Sequence, residues 1–382
     1  MDTSDGWNNL QPSYIREILS STQADQLISL AGGLPATDLL PTELFAPYLN
    51  RLCGQPELFQ YGESEGYSLL RQHLHQQYNL ALQAKILITS GSQQGLDLIA
   101  RTFLDHNSEI AMESPCYLGA LQVFQLTGCK IHGIRQLAEG PDIEQLERLF
   151  RGGRIKLFYA VPDFHNPTGL CWSAESRYQI AKLCRQYGVT LIEDAPYREL
   201  RFAGKQLPMM AELCPELTLT LRSFSKTLSP GIRLACLYGP ALWIDQICRL
   251  KQAADLHSAL PFQAILPELL DSEAYKHHLS KLRQRYASNY NLLSTEISNK
   301  LGNRVQYQAA CGGMFLWLKL KSEIATPLTK HALSHGLAVV PGQHFMLTAK
   351  DDRYLRLNFS HSTDKQLIQA VNILEHCFES VN

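Results

Sequence analysis

At 382 residues, 45% of them hydrophobic and 19% charged, the chain can bury a sizeable core and is long enough for two domains. Lys plus Arg 35 against Asp plus Glu 36 leaves a net charge of -1, so no global positive field attracts nucleic acid or an anionic membrane. Small molecules are the favoured partners, and the polar start over residues 1–9, with no membrane-length apolar run anywhere, points to a cytoplasmic protein.

Residues 1–40 read as an irregular arm, rich in glycine, proline and leucine around Leu30, Gly32, Gly33, Leu34 and Pro35. Residues 41–272 form the larger unit. A short β-branched run at 85–89 is followed by the turn Ser90-Gly91-Ser92 and then by Leu96, Ile99, Ala100 and Phe103 at helical spacing. The unit recurs: 155–161 is a strand, Ser173 can cap a helix whose apolar face is Ile180, Leu183, Cys184 and Tyr187, and Gly188 can stop it. Strands follow at 189–192, 217–221 and 234–238. Apolar strands without clean alternation belong to a sheet covered on both faces, so an α/β domain with a mostly parallel open sheet is expected. The pattern then changes over residues 273–382: a long charged helix at 274–300, a strand at 314–318, a helix near 327–335 and a last strand at 355–357 predict a smaller α+β domain.

Ten cysteines are scattered through apolar contexts with no C-x-x-C pair, which reads as reduced, buried thiols. His331 and His335 share a helical face, but no H-E-x-x-H glutamate accompanies them and no metal site is expected. His277 and His278 read as a solvated helix face.

Open α/β sheets bind ligands beyond the carboxyl ends of their strands, and polar residues cluster at those positions. Ser92 and Gln93 open a helix after a strand, where free N–H groups favour a phosphate, although a helix cap without ligand is the alternative. Tyr117 could stack on a planar group or simply fill the core. Asn166 lies in a turn after a strand. Asp194 follows 189–192 and either pairs with a protonated pyridine nitrogen or caps the next turn, with Glu193 a solvated or structural neighbour. Tyr197 could hydrogen-bond a phenolic oxygen. Ser223, Ser225, Lys226 and Arg233 complete the series: an amine that can condense with an aldehyde, beside hydroxyls and an arginine that can hold a phosphate. Together these suggest pyridoxal phosphate.

With those residues in place, the chain resembles the fold type I, class I/II pyridoxal-phosphate aminotransferases, most closely the group of 2-aminoadipate and kynurenine aminotransferases and MocR-type effector domains. The likeness runs from Ile15-Arg16-Glu17 through Tyr61-Gly62 to Gly312-Gly313-Met314, Pro341-Gly342 and Leu355-Arg356-Leu357. It implies that Lys226 forms the Schiff base, that Ser92, Gln93, Ser223, Ser225 and Arg233 hold the phosphate, that Asn166 and Tyr197 contact the phenolic oxygen, and that Tyr117 and Asp194 meet the ring. Arg356 resembles the clamp for the substrate carboxylate, Tyr61 a phosphate ligand given to a neighbouring subunit in a homodimer with shared sites, and Arg16 and Gly33 parts of an arm over the substrate. Ala195 and Arg222 depart from the family pattern without removing a required group. The reaction so implied moves an amino group from an aromatic, branched or 2-aminoadipate-type amino acid to a 2-oxo acid, with 2-oxoglutarate the expected acceptor, by a ping-pong route. A β-lyase with the same residues is the alternative. A MocR-like sensor is a weaker one, since the fold begins almost at Met1 with no space for a winged helix.

Overall fold

The computed structural model describes residues 2–3, 5–8, 27–322, 324–347 and 351–381. Its strands in chain order are β1 (Ile28–Ser29), β2 (Ala84–Thr89), β3 (Glu109–Ser114), β4 (Lys130–Leu137), β5 (Gly140–Pro141), β6 (Ile155–Ala160), β7 (Thr190–Asp194), β8 (Thr218–Ser223), β9 (Ala235–Pro240), β10 (Val305–Gln306), β11 (Phe315–Leu320), β12 (Leu337–Ala338), β13 (Val340–Pro341) and β14 (Tyr354–Asn358). Eight of them form one sheet in the order β2-β9-β8-β7-β6-β3-β4-β5. The centre, from β8 through β7, β6 and β3 to β4, is parallel. β9 runs antiparallel to both β8 and β2. The reason is the short link over residues 224–234, which leaves no length for the crossover helix a parallel neighbour requires.

Helices cover both faces because the central strands have no polar side to give water. Leu87, Ile88, Leu191, Ile192, Leu219 and Leu221 are all fully buried, each worth about 1.5–3 kcal/mol. The helix Ser92–Phe103 buries Leu96, Leu98, Ile99 and Ala100 against this sheet. Gly95 sets how closely it lies, since a Cβ there would meet Leu221 Cδ2 at 2.4 Å. The helix Ala174–Tyr187 begins at Ser173, whose side chain accepts from Ser176 N, and ends at Gly188 with φ 66°, both caps for the reasons the sequence suggests.

The helix Glu273–Lys300, capped by Ser272, leads into the second sheet, ordered β10-β11-β14-β13 and antiparallel throughout. β1 pairs in parallel with β12, and Asn358 N donates to Leu30 O at 2.8 Å. The arm is therefore pinned to the C-terminal unit before it reaches Gly33. One smaller expectation changes and one is decided between its alternatives. His277 is exposed but His278 is half-buried, with Nε2 2.9 Å from Thr227 O. Glu193 is not solvated: it is fully buried and accepts from Met210 N, Ala211 N and the Thr220 hydroxyl, which ties β7 to the segment that follows it. All ten cysteines are free. Among the described residues no helix is long and apolar enough to cross a membrane.

Candidate active site

The carboxyl ends of β2, β3, β6, β7 and β8 and the pinned arm surround one cavity of about 690 Å³. Gly33, Ser92, Gln93, Tyr117, Asn166, Asp194, Tyr197, Ser223, Ser225, Lys226, Arg233 and Arg356 all line it. Of the described residues carried over as site residues only Tyr61 is not there, and Arg16 is not among the described residues. Tyr61 is 78% exposed, edge-on to His257.

One end of the cavity is built for an anion. After β2 the chain turns at Gly91, with φ 85°, into the helix whose first residues are Ser92 and Gln93. Glycine is needed there twice over, since a Cβ would sit 2.5 Å from Arg233 Nη2 and L side chains avoid that φ. Arg233 itself is held in the left-handed region at φ 51°, a conformation that costs a non-glycine residue about 1–3 kcal/mol and survives only where the surroundings fix it. Its Nη2 donates to Ser90 O at 3.2 Å. Ser223 ends β8, and its Oγ accepts from Ser225 N at 3.2 Å. Free helix N–H groups, hydroxyls and a guanidinium thus converge on one spot.

The turn rests on polar groups that no motif signalled. Gln94 Oε1 accepts from Ser90 N at 2.7 Å and Gln94 Nε2 donates to Asp255 at 2.6 Å. Lys251, fully buried, donates to the same carboxylate at 2.6 Å. Asp255 and Lys251 sit at i, i+4 of a charged helix end, a spacing that in sequence reads as an ordinary surface pair.

Along the cavity wall, Tyr117 donates to Gln93 Oε1 at 3.3 Å, and Gln93 Nε2 donates to Gly119 O at 2.8 Å. Asp194 ends β7 with Oδ2 accepting from Tyr159 at 2.8 Å. Its buried Oδ1 has no partner among the described residues. Burial pushes this carboxyl up to about 7, against the smaller opposing pull of the Tyr159 hydroxyl. Tyr197 is buried edge-on to Phe315 at 5.8 Å, and its hydroxyl bonds Asn166. Burial drives its phenol up as well.

Arg356 comes from β14 and is 1% exposed. Its Nη1 donates to Asn166 Oδ1 at 2.8 Å, Nη2 donates to Ala31 O, and Nε is buried without a partner among the described residues. Phe315 and Phe345 lie under the guanidinium at 4.7 and 4.9 Å. Burial draws it down to about 10. A cation so placed, with no carboxylate against it among the described residues, is matched to an anion brought from outside. Lys226 Nζ donates to Gly33 O at 2.8 Å. Burial first, and then the charges of Arg233 and Arg356, lower it to about 8, which leaves much of the amine neutral near pH 8 and able to act as a nucleophile or a base. Arg222 takes no part: its guanidinium lies 4.0 Å over the Tyr78 ring and pairs with Glu199.

An anion cradle, a buried carboxylate with one oxygen unpartnered among the described residues, an aromatic wall and a lysine of lowered basicity at the strand ends of this sheet define a pyridoxal-phosphate enzyme of fold type I. The chain belongs to the aminotransferase class I and II family, whose model matches residues 34–374. It is 35% identical to a 2-aminoadipate transaminase of Thermus thermophilus, across 97% of this chain and 94% of that one. It is 30% identical to aromatic-amino-acid aminotransferase 1 of Thermococcus litoralis, across 96% and 91%. The solved α-aminoadipate aminotransferase of Thermus thermophilus, complexed with N-(5'-phosphopyridoxyl)-L-leucine, superposes with a TM-score of 0.91 at 32% identity, covering 99% of this chain and 97% of that one. The cofactor is pyridoxal phosphate, and the unpartnered Asp194 Oδ1 and the anion cradle fit it.

Tyr159 was not visible as a site residue, being one more aromatic in an apolar strand. It fixes the orientation of Asp194, and a hydrogen bond to a charged group is worth about 1.5–3 kcal/mol. Tyr159→Phe is therefore expected to weaken cofactor retention about tenfold or more, measured as the apparent Kd of the reconstituted cofactor, with the fold unchanged.

Proposed function

We propose that the enzyme transfers the amino group of an aromatic, branched-chain or 2-aminoadipate-type L-amino acid to a 2-oxo acid such as 2-oxoglutarate, donor and acceptor using the site in turn. The observation that carries this is the pairing, around one cavity, of the lowered Lys226 amine with a buried, carboxylate-free Arg356. In this reading Ser92, Gln93, Ser223, Ser225 and Arg233 hold the cofactor phosphate, Tyr117 stacks on its ring, Asp194 faces the ring nitrogen, and Asn166 and Tyr197 meet the phenolic oxygen. When bound, the cofactor supplies the electron sink that makes the substrate α-proton removable and carries nitrogen between the two half-reactions.

The chain's own residues do the rest. Arg356 receives the substrate carboxylate with two parallel N–H donors, and Asn166, already bonded to Nη1, holds the fork in plane. Lys226 would hold the cofactor through its amine, and the same Nζ, when free, would serve as the base that takes up and gives back the substrate α-proton. Gly33, whose carbonyl holds Nζ at 2.8 Å, steers that amine. Leu34, which also lines the cavity, sets apolar surface where water would otherwise stand.

Arg356→Lys keeps the charge and loses the fork. Losing one charge-assisted bond of about 1.5–3 kcal/mol is expected to raise KM for the amino acid roughly 10- to 100-fold, more than it lowers kcat, in initial-rate kinetics. The reading itself is tested by adding a panel of amino acids without acceptor, following the cofactor absorbance and identifying the product by mass spectrometry. A 2-oxo acid supports it. Pyruvate and ammonia from a β-substituted donor would instead establish a lyase.

The exposure of Tyr61 suits a side chain offered to a neighbouring subunit's phosphate, and a homodimer with shared sites follows from that reading. The free thiols suit a cytoplasmic setting. The division into an arm to residue 40, a large domain to 272 and a small domain beyond is supported by the two separate sheets and by the pairing of β1 with β12.

A further inference from the structure

Outside the residues that line the cavity, His331 on the helix Ala325–Ser334 and His335 at its end meet Cys377 of the last helix, Asp364–Val381. One ligand atom from each lies within 4.8 Å of the other two. We propose that these three side chains form a binding site for a borderline-soft divalent cation of the zinc class, independent of the catalytic cavity.

The sequence shows only the histidine pair, and without an H-E-x-x-H glutamate beside it no metal was expected. The fold adds the sulfur, from a residue that no local spacing connects to them. His335 Nδ1 lies 3.0 Å from His331 O, a contact that a ring nitrogen makes as N–H donor. The lone pair of His335 is thereby placed on Nε2, and anchoring the far nitrogen to a backbone carbonyl is the way metal-binding imidazoles are oriented. His331 Nε2 is buried and has no hydrogen-bond partner among the described residues. An unsatisfied buried nitrogen costs about 1–3 kcal/mol unless something fills its lone pair. The two rings are 4.5 Å apart and inclined at 62°, so they are not stacked flat against each other.

Zinc takes nitrogen at about 2.0–2.1 Å and thiolate sulfur at about 2.3 Å, which in a tetrahedron sets its ligands roughly 3.3–3.8 Å apart. The three atoms, within 4.8 Å of one another, would have to draw together by up to about 1.5 Å to reach that. Burial grades across the site, from fully buried Cys377 through half-buried His331 to exposed His335. An ion can therefore enter from the His335 side, and its fourth position faces solvent, where water completes the shell. On binding, the Cys377 thiol gives its proton to solvent and coordinates as thiolate. The bond would cross-link the last helix to the one that leads into β12, the strand that pins the arm.

The test is titration of metal-free holoenzyme with Co²⁺, followed by displacement with Zn²⁺. One equivalent per chain is expected, with a near-ultraviolet thiolate-to-cobalt band and tetrahedral visible bands, and Zn²⁺ should raise the thermal midpoint. His335→Gln alters an exposed side chain, so the variant should fold and transaminate normally, yet bind Co²⁺ at least tenfold more weakly. Cys377→Ser should remove the thiolate band. If that buried change prevents folding, His331→Gln replaces it and should also weaken binding tenfold. Cys53→Ser, at the exposed thiol, should change nothing. Absence of the thiolate band in wild type, its loss in Cys53→Ser, or undiminished affinity in His335→Gln would each overturn the proposal.

Discussion

Lys226→Ala is expected to lower transamination by roughly 10⁴-fold, the upper range for loss of a positioned acid–base group, if the same nitrogen, as proposed, both holds the cofactor and moves the proton. The protein should still fold. Burial and the neighbouring arginines lower this amine to about 8. Below that pH the folded state must take up a proton against an unfavourable surrounding, while the unfolded chain is fully protonated up to its ordinary value near 10.5. Removing the amine therefore relieves the folded state at neutral pH, and the cofactor-free variant should melt no lower than wild type. Added small amines should restore part of the rate, a rescue that a merely structural lysine would not show. Steady-state assays with and without methylamine, alongside thermal melts, check both points.

Asp194→Asn is the second large effect. An amide keeps the shape and the Tyr159 bond but cannot balance a cationic ring nitrogen, and removing one partner of a buried charge pair costs about 3–5 kcal/mol, a fall in kcat on the order of 10²- to 10³-fold. The same residue gives a pH signature. In the cofactor-free protein burial raises this carboxyl from 3.8 to about 7. Below the lower value folded and unfolded chains are both protonated there and nothing is lost. As pH rises, the unfolded chain ionises first, so Asp194 withdraws stability up to about pH 7, where the folded group ionises too. Glu113, raised to about 7 by burial, acts in the same direction. The useful measurement is thus the difference between the two proteins: cofactor-free Asp194→Asn should gain on wild type in thermal midpoint from pH 5 to pH 7. Cofactor binding should narrow that gap.

These effects explain which parts of the site were readable in advance. Motifs at strand ends, such as Ser92-Gln93 after β2 and Asp194 after β7, carry their position with them, since apolar runs mark the strands and the fold class says where ligands go. Lys226 and Arg233 were readable for the same reason, sitting on one short link. Arg356 needed the family likeness, because an arginine alternating with Leu355 and Leu357 is also what an exposed strand looks like. Only the structure shows it buried over Phe315 and Phe345, and those rings come from elements far apart in the chain.

The unread remainder is long-range. Tyr159 gains its meaning from β6 lying beside β7, and Lys251 and Asp255 gain theirs from a turn more than 150 residues earlier in sequence. Strand β4, covered on its outer side by β5 only at Gln136 and Leu137, escaped notice because His132, Gly133 and Arg135 interrupt its apolar pattern, as a largely unpaired outer side permits. β9 was visible as a strand, but its antiparallel direction followed from the length of the link before it.

The central claim is that Lys226 is the attachment point of pyridoxal phosphate in this cavity. Borohydride reduction of the holoenzyme, followed by proteolysis and peptide mass spectrometry, tests it most directly. A phosphopyridoxyl adduct on Lys226 is expected in near-stoichiometric yield, lost when an amino donor is added before the borohydride. An adduct on another lysine, or none on a protein shown to hold the cofactor, would contradict it.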